Sequence, residues 1–170
     1  MNNLFLIGPA SVGKTTAGTS LAKRLDKNFI DIDEEFCTQI APISEYLKEY
    51  GYESYCEANS ELALKLTKEN PKDIIFATPS GFLVHEKSPH LVQKHLKLLK
   101  EYGVSILLLP PESFADQIAA RQIKRWNLDF EKEKQKFLDR HAKYKQYGDI
   151  QIDPSKDKET IVEEIIQKLT

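Results

Sequence analysis

Long apolar runs and N-terminal targeting signals are missing from this chain. No apolar run among its 170 residues approaches the roughly 20 residues that a membrane-spanning helix needs. The N-terminal segment MNNLFLIGPA has no basic stretch, and its apolar run is too short for a secretory signal. We therefore expect a cytoplasmic protein without a membrane partner.

Cysteines and patterns of metal ligands are also scarce. The chain has two cysteines, Cys37 and Cys56, which form no CxxC pair. In a reducing cytoplasm we expect both to be free thiols. The four histidines lack ligand spacing and no HExxH motif occurs, so the sequence does not indicate a structural metal site.

Neither sign of charge is in excess. The 24 lysines and arginines are interleaved with 26 aspartates and glutamates, which leaves a formal net charge of -2. This balance argues against a nucleic-acid partner. Apolar residues make up 41% of the chain, as in globular proteins, and no repeat or flexible linker divides it. We therefore expect one domain over residues 1–170.

Apolar segments alternate with segments of helical periodicity along the chain. The predicted strands are residues 4–7, 28–30, 73–77, 104–109 and 150–152. The predicted helices are residues 14–25, 44–50, 54–69, 89–102, 112–124, 130–147 and 158–169. This alternation predicts an α/β fold with a parallel sheet covered on both faces. Ligands of such folds bind beyond the carboxyl ends of the strands.

The segment GPASVGKTT, which directly follows the first predicted strand, has the G-x-x-x-x-G-K-[ST] pattern of a phosphate-binding loop. The glycines let successive N–H groups turn toward one centre, and the following helix adds a positive N-terminus. Lys14 can reach the β- and γ-phosphates, and the Thr15 hydroxyl can bind Mg²⁺. The loop residues expected to bind nucleotide are Gly8, Ser11, Val12, Gly13, Lys14, Thr15 and Thr16.

Two carboxylates, Asp31 and Asp33, follow the second predicted strand in the segment FIDIDEEF. If the strand continues through them, their spacing places both side chains on one side, near the phosphate-binding loop. One carboxylate would then orient Mg²⁺, and the other would accept a proton from an attacking hydroxyl. The alternative is that Asp33 caps the next helix. The two interpretations are compatible.

The order of these motifs resembles the shikimate kinase family almost from end to end. The resemblance rests on LFLIGPASVGKTT, FIDIDEEF, ISEYLKEYG, the strand IIFAT and the C-terminal RHAKYKQYGDIQID. It implies a three-layer α/β/α P-loop kinase with a five-stranded parallel sheet of order 2-3-1-4-5 and a lid at about residues 113–130. It also implies ATP and Mg²⁺ as cofactors, a small-molecule acceptor and a monomer.

The resemblance assigns roles to individual residues. Lys14 and Thr15 match the contacts to phosphate and Mg²⁺, and Asp31 matches a companion near the metal. Asp33 matches the carboxylate that binds the acceptor hydroxyls and acts as base. Four further matches are Arg125 as the lid arginine at the transferring phosphate, Arg121 against adenine, Arg140 on the shikimate carboxylate, and Tyr55 at an aromatic position lining the pocket.

The chain departs from the family pattern around the acceptor. Cys56 replaces the second carboxylate-binding arginine, and Asn59 replaces the glutamate that supports it. The family's glycine triplet is Pro79, Ser80 and Gly81, so that Gly81 alone is kept for acceptor binding. The roles of Trp126, at the place of a lid proline, and His85 are left open.

The sequence therefore predicts a kinase that transfers the ATP γ-phosphoryl group to a hydroxyl of shikimate or a related hydroxylated metabolite. Two alternatives remain open. One is a nucleotide-binding P-loop protein with weak or no kinase activity, and the other is a nucleoside or nucleotide kinase on the same fold.

Overall fold

The computed structural model of the protein describes residues 2–170. Its strands are β1 (Asn3–Ile7), β2 (Asn28–Asp31), β3 (Ile74–Ala77), β4 (Gly103–Leu108) and β5 (Ile150–Ile152). Its helices are α1 (Lys14–Leu25), α2 (Ile32–Gln39), α3 (Ile43–Glu69), α4 (Pro89–Tyr102), α5 (Ala115–Trp126), α6 (Phe130–Tyr144) and α7 (Lys158–Leu169). A short 3₁₀ helix at Glu112–Phe114 precedes α5.

The strands form one parallel sheet in the order β2-β3-β1-β4-β5. This order confirms the prediction. Because β2, β3 and β1 are neighbours and run in the same direction, the loops that follow them leave the sheet at one edge. At this edge the phosphate-binding motif follows β1, the two aspartates lie where β2 meets α2, and the altered glycine triplet follows β3.

The central strand β1 shows how the sheet separates two hydrophobic cores. All five of its residues are buried. Phe5 and Ile7 pack into one core, with side chains from α2, α3 and α4. Leu4 and Leu6 pack into the other, with side chains from α1, α5 and α7. The alternation follows from the two-residue period of a strand and confirms the three-layer α/β/α arrangement.

The segment after β2 does not continue as a strand, contrary to the geometric expectation for the two aspartates. The strand ends at Asp31, and helix α2 begins at the next residue. The interpretation of Asp33 as the helix cap is wrong as well. Asp31 is the cap, and its Oδ1 accepts hydrogen bonds from the backbone N–H groups of Asp33 (3.0 Å) and Glu34 (3.3 Å). Helical rather than strand geometry therefore directs the Asp33 side chain.

Helix α3 contains the interruption that separates the two helices predicted there. Gly51 has φ 84° and ψ 171°, which lie outside helical geometry. Other boundaries shift by a few residues: the predicted helix over 112–124 starts as a 3₁₀ helix and ends at Trp126, while α6 ends at Tyr144 rather than at residue 147.

The structure also describes the state of the two cysteines and the character of the helices. Cys37 is an exposed free thiol, and Cys56 is a buried one. None of the helices within residues 2–170 has the length and apolar character needed to cross a membrane.

Candidate active site

The loop between β1 and α1 turns sharply because several of its residues have positive φ angles. Gly8, Ser11 and Gly13 have φ values of 145°, 60° and 92°. A Cβ atom at Gly8 would lie 2.4 Å from the carbonyl oxygen of Leu108, so the close approach to β4 requires glycine. Val12 is buried in the core and anchors the loop.

The N-terminus of α1 is open to an anion. Gly13 caps the helix without a side-chain hydrogen bond, and the first turn contains no acidic residue. The first N–H groups of a helix have no partner within it, and the helix dipole adds a partial positive charge there. Thr15 and Thr16 lie exposed in this first turn. A triphosphate fits this arrangement.

Lys14 lies inside the loop. Its Nζ donates hydrogen bonds to the carbonyl oxygens of Gly8 and Pro9, each at 2.7 Å. Burial lowers the pKa of Lys14 to about 8, while the charges of Asp33 and Asp31 act in the opposite direction. The ammonium group is therefore mostly protonated at neutral pH and is poorly solvated, so it interacts strongly with a phosphate oxygen.

Thr15 and Asp31 bring two side-chain oxygen groups together next to Lys14. The Thr15 hydroxyl donates a hydrogen bond of 2.7 Å to Asp31 Oδ2. The second oxygen of Asp31 is held by the N-terminal N–H groups of α2, which fix the direction of the carboxylate. Hard oxygen donors of this kind suit Mg²⁺, so the residues fit the metal that a phosphate-binding loop requires.

Helix α5 contacts the phosphate-binding loop through two side chains. Arg121 Nη1 donates to the Ser11 carbonyl oxygen at 3.0 Å, and the Ser11 hydroxyl donates to Gln122 Oε1 at 2.6 Å. Arg125 lies one turn further along, exposed, with its guanidinium group 5.2 Å from the ring centre of Trp126. The positive charge of Arg125 acts on Lys14, but no hydrogen bond joins Arg125 to the loop within the described part of the chain.

Asp33 lies close enough to the phosphate-binding loop to interact with the charge of Lys14. Its Oδ1 accepts hydrogen bonds from the Tyr55 hydroxyl at 2.6 Å and from Asn59 Nδ2 at 3.2 Å. Burial raises the pKa of Asp33, and the Tyr55 hydrogen bond and the charge of Lys14 oppose that rise. A carboxylate that is partly desolvated and fixed by two donors is suited to accept a proton.

Removing the Tyr55 hydroxyl is expected to move the acid limb of the pH–rate profile to higher pH. The hydrogen bond from Tyr55 lowers the pKa of Asp33, so Tyr55→Phe raises that pKa further and leaves less ionised base at a given low pH. On the acid limb we expect turnover to fall about tenfold, which corresponds to a charge-assisted hydrogen bond of about 1.5 kcal/mol. The pH dependence of kcat measures this shift.

The matched control is Tyr46→Phe. Tyr46 contacts the same Phe36 ring as Tyr55, and none of the hydrogen bonds within residues 2–170 involves its hydroxyl. Its profile should match the wild type. Equal profiles for Tyr55→Phe and Tyr46→Phe would contradict the role of Tyr55 on Asp33.

Arg140 is held by neutral oxygen atoms. Its Nη1 donates to the Ser80 hydroxyl at 3.0 Å, and its Nη2 donates to the Tyr52 hydroxyl at 3.3 Å. The Tyr144 hydroxyl donates to the Ser80 carbonyl oxygen at 2.9 Å and fixes this loop. A Cβ atom at Gly81 would lie 2.9 Å from the Tyr52 hydroxyl, so a side chain there would displace the end of Tyr52.

A cavity of about 80 Å³ lies between these groups. Its walls come from α3, from the loop after β3 and from α6, and they include the partners of both Asp33 and Arg140. The lining residues that bear on the site are Tyr52, Tyr55, Cys56, Asn59, Pro79, Ser80, Gly81, His85, Lys136 and Arg140. Of the four residues assigned to acceptor binding, Tyr55, Gly81 and Arg140 line this space, and Asp33 does not.

The replaced residues are part of the wall of this cavity. The Cys56 side chain is 4% exposed, and burial raises the pKa of its thiol. Burial, followed by the charge of Arg140, lowers the pKa of His85 to about 4. Both groups are therefore neutral at pH 7, so neither takes over the charge of a missing arginine.

A family model described as shikimate kinase matches residues 10–170. The chain belongs to the shikimate kinase family. Membership implies an ATP-using kinase that acts on a hydroxyl acceptor.

Solved structures of the shikimate kinase fold superpose on nearly the whole chain. Shikimate kinase from Acinetobacter baumannii in complex with shikimate has a TM-score of 0.83 and 24% identity, with 99% of this chain and 93% of that chain covered. The enzyme from Aquifex aeolicus has a TM-score of 0.75 and 22% identity, with 98% and 95% covered. A gluconokinase from Sinorhizobium meliloti has a TM-score of 0.66 and 15% identity, with 99% and 91% covered. At these identities the superpositions show the fold alone.

The structure adds contacts that the sequence patterns did not identify. Asn59 binds the carboxylate of Asp33, whereas the sequence marked it only as a departure from the shikimate kinase pattern. Tyr55 and Asn59 are four residues apart on one helix, and this spacing is the signal that places them on one face. Tyr52 and Ser80 meet Arg140 only through the fold, since they lie 88 and 60 residues away from it.

Proposed function

We propose that this protein is an ATP- and Mg²⁺-dependent kinase that phosphorylates a hydroxyl of shikimate or a related hydroxylated metabolite. The observation that carries the proposal is the environment of Asp33. Its carboxylate is held by Tyr55 and Asn59, interacts with Lys14 of the phosphate-binding loop, and lies next to the cavity that contains Arg140. A protein that only binds nucleotide has no need of a base placed between a phosphate site and an acceptor cavity.

In the proposed reaction, an acceptor hydroxyl in the small cavity attacks the γ-phosphorus of ATP. A bond forms between the acceptor oxygen and phosphorus, the bond to the β-phosphate oxygen breaks, and ADP leaves. Asp33 takes the proton of the hydroxyl. Lys14 stabilises the negative charge on the phosphate oxygens, and Arg125 would join it when the lid segment 113–130 closes and excludes water.

Thr15 and Asp31 are the residues that would hold Mg²⁺. When bound, the metal neutralises charge on the β- and γ-phosphate oxygens. Helix α5 also contributes to the proposed ATP site, because Arg121 and Gln122 form hydrogen bonds with Ser11 of the phosphate-binding loop. The contact of Arg121 with Ser11 supports the proposal that its guanidinium group lies against adenine.

The decisive experiment is a phosphoryl-transfer assay with Mg-ATP and a panel of hydroxylated acceptors. Shikimate is the first acceptor. Gluconate is included because a gluconokinase shares the fold, and nucleosides and nucleoside monophosphates test the alternative kinase class. We expect ADP and a phosphorylated hydroxy acid to form in equal amounts. Mass spectrometry of the product identifies the acceptor.

Other outcomes of the assay distinguish the alternatives. ATP binding without a phosphorylated product in the whole panel would favour a nucleotide-binding protein, in line with the departures at Cys56 and Pro79. Phosphorylation of a nucleoside monophosphate would favour a nucleotide kinase. Either result would overturn the proposed acceptor class.

A further inference from the structure

The cations of α6 lie in two different environments. Lys134 pairs with Asp116 at 2.9 Å, and Lys143 pairs with Glu86. Three other cations, Lys132, Lys136 and Arg140, follow at intervals of four residues, so they lie along one face of the helix. No ion pair with a carboxylate within residues 2–170 involves any of these three.

This unpaired face of α6 lines an open cleft of about 760 Å³ that leads to the small cavity near Asp33. The residues that line both spaces form the junction between them. They are Tyr52, Cys56, His85, Lys136 and Arg140. An acceptor that places a hydroxyl near Asp33 therefore passes or contacts this junction.

The junction carries two positive charges and no negative one. Cys56 is a neutral thiol because burial raises its pKa, and His85 is neutral because burial lowers its pKa to about 4. Burial likewise raises the pKa of Tyr52. The charge of the junction thus comes from Lys136 and Arg140 alone.

The positions of Lys136 and Arg140, one helical turn apart, are electrostatically unfavourable. Like charges four residues apart in a helix repel each other. Although Lys136 is an exposed residue, partial desolvation of its ammonium group and then the charge of Arg140 lower its pKa, and the charge of Glu133 opposes this shift. Within the described residues the hydrogen-bond partners of Arg140 are the neutral Ser80 and Tyr52 hydroxyls, which orient it without neutralising it. A bound anion would remove the repulsion.

We propose that Lys136 and Arg140 together bind a carboxylate of the acceptor, so that Lys136 supplies the second cation that Cys56 cannot. The proposal rests on the proposed function and names a specificity-determining residue of its acceptor site. Arg140 offers two N–H groups in a fixed plane, and Lys136 adds a flexible point charge from the same face of the helix. The acceptor that fits is a hydroxylated carboxylic acid rather than a neutral polyol.

The test compares a carboxylate ligand with its neutral counterpart. Shikimate and its primary amide are titrated calorimetrically into the wild type, Lys136→Gln, Lys136→Arg and Lys134→Gln, in the presence of Mg-ADP. Lys134→Gln is the matched control, since it removes a lysine of the same helix that faces Asp116 instead. Binding of Mg-ADP to each variant is measured separately.

We expect the wild type to bind shikimate more tightly than the amide. Lys136→Gln should weaken shikimate binding about tenfold, the lower end of the effect of a charge-assisted hydrogen bond, and leave the amide unchanged. Lys136→Arg should retain most of the preference, and Lys134→Gln all of it. In turnover, Lys136→Gln should raise the acceptor KM with little change in kcat and none in the KM of ATP.

Several results would overturn the inference. In the first, Lys136→Gln still prefers shikimate over the amide as strongly as the wild type does. In the second, Lys136→Gln weakens the binding of the amide or of Mg-ADP as much as that of shikimate. In the third, the wild type binds neither shikimate nor the amide. The proposed function fails separately: if the preference depends on Lys136 but no acceptor is phosphorylated, the binding site stands without the activity. If an acceptor is phosphorylated but Lys136→Gln leaves its binding unchanged, the inference fails alone.

Discussion

Replacing Lys14 with alanine is expected to lower phosphoryl transfer by about 1,000-fold or more. The Lys14 ammonium group lies inside the phosphate-binding loop, bonded to the Gly8 and Pro9 carbonyl oxygens and shielded from water. A charge in such surroundings stabilises the transferring phosphoryl group far more than a solvated charge does. The kcat measured with saturating ATP and acceptor tests this expectation, and a decrease of less than tenfold would remove Lys14 from the mechanism.

A control variant and a stability measurement separate the chemistry from the folding. Lys23→Ala removes an exposed lysine of the same helix and should leave turnover unchanged. Because the pKa of Lys14 is lowered in the folded state, the folded protein binds fewer protons there than the unfolded chain, and the charged lysine opposes folding below a pH of about 8. The wild-type free energy of unfolding should therefore fall as the pH drops from 10.5 to about 8, and Lys14→Ala should lose this part of the pH dependence.

Replacing Asp33 with asparagine is expected to lower kcat by about 100- to 10,000-fold while the dissociation constant of ATP stays the same. Asparagine keeps the size of the side chain, and its oxygen can still accept the hydrogen bonds from Tyr55 and Asn59. It cannot take the proton of the acceptor hydroxyl. Equal losses in turnover and in ATP affinity would instead indicate that Asp33 mainly shapes the nucleotide site.

Thermal unfolding gives a second readout for Asp33→Asn. The pKa of Asp33 is raised by burial, so its contribution to stability is present at low pH and is lost as the pH rises through that raised value. Above it, the ionised carboxylate destabilises the folded state. Asp33→Asn should therefore raise the unfolding temperature at neutral pH, with a smaller difference in acid. Glu34→Gln makes the same chemical change at an exposed neighbour and should alter neither kcat nor this pH dependence.

The replacements at positions 56 and 59, next to the proposed acceptor site, depend on each other. Restoring a glutamate at position 59 would place a second carboxylate next to Asp33, because Asn59 Nδ2 lies 3.2 Å from Asp33 Oδ1. An arginine at position 56 would have to enter a wall that is nearly closed to solvent. The neutral residues Cys56 and Asn59 are therefore compatible with each other. In the proposed site the cations of α6 bind the anion instead.

Local sequence patterns specify the architecture and the phosphate-binding loop. The alternation of apolar strands and amphipathic helices specifies a parallel sheet, because only burial on both faces satisfies such strands. The motif GPASVGKTT specifies the loop through the local requirements of its glycines, and Gly51 marks the break in α3 for the same reason. These features depend on neighbours in the chain, so a linear pattern contains them.

The arrangement of residues around the proposed acceptor site depends on contacts that no local sequence pattern shows. The sequence could not show that β2 stops at Asp31, because the capping of α2 by that residue competes with continuation of the strand and wins by satisfying two N–H groups. Acidic and basic residues also alternate along α6, so the sequence pattern does not distinguish its cations from one another. The fold separates them, because packing against α5 and the loop after β3 supplies acids for Lys134 and Lys143 and none for Lys136 and Arg140. The two ion pairs join residues 18 and 57 positions apart, so no local pattern records them.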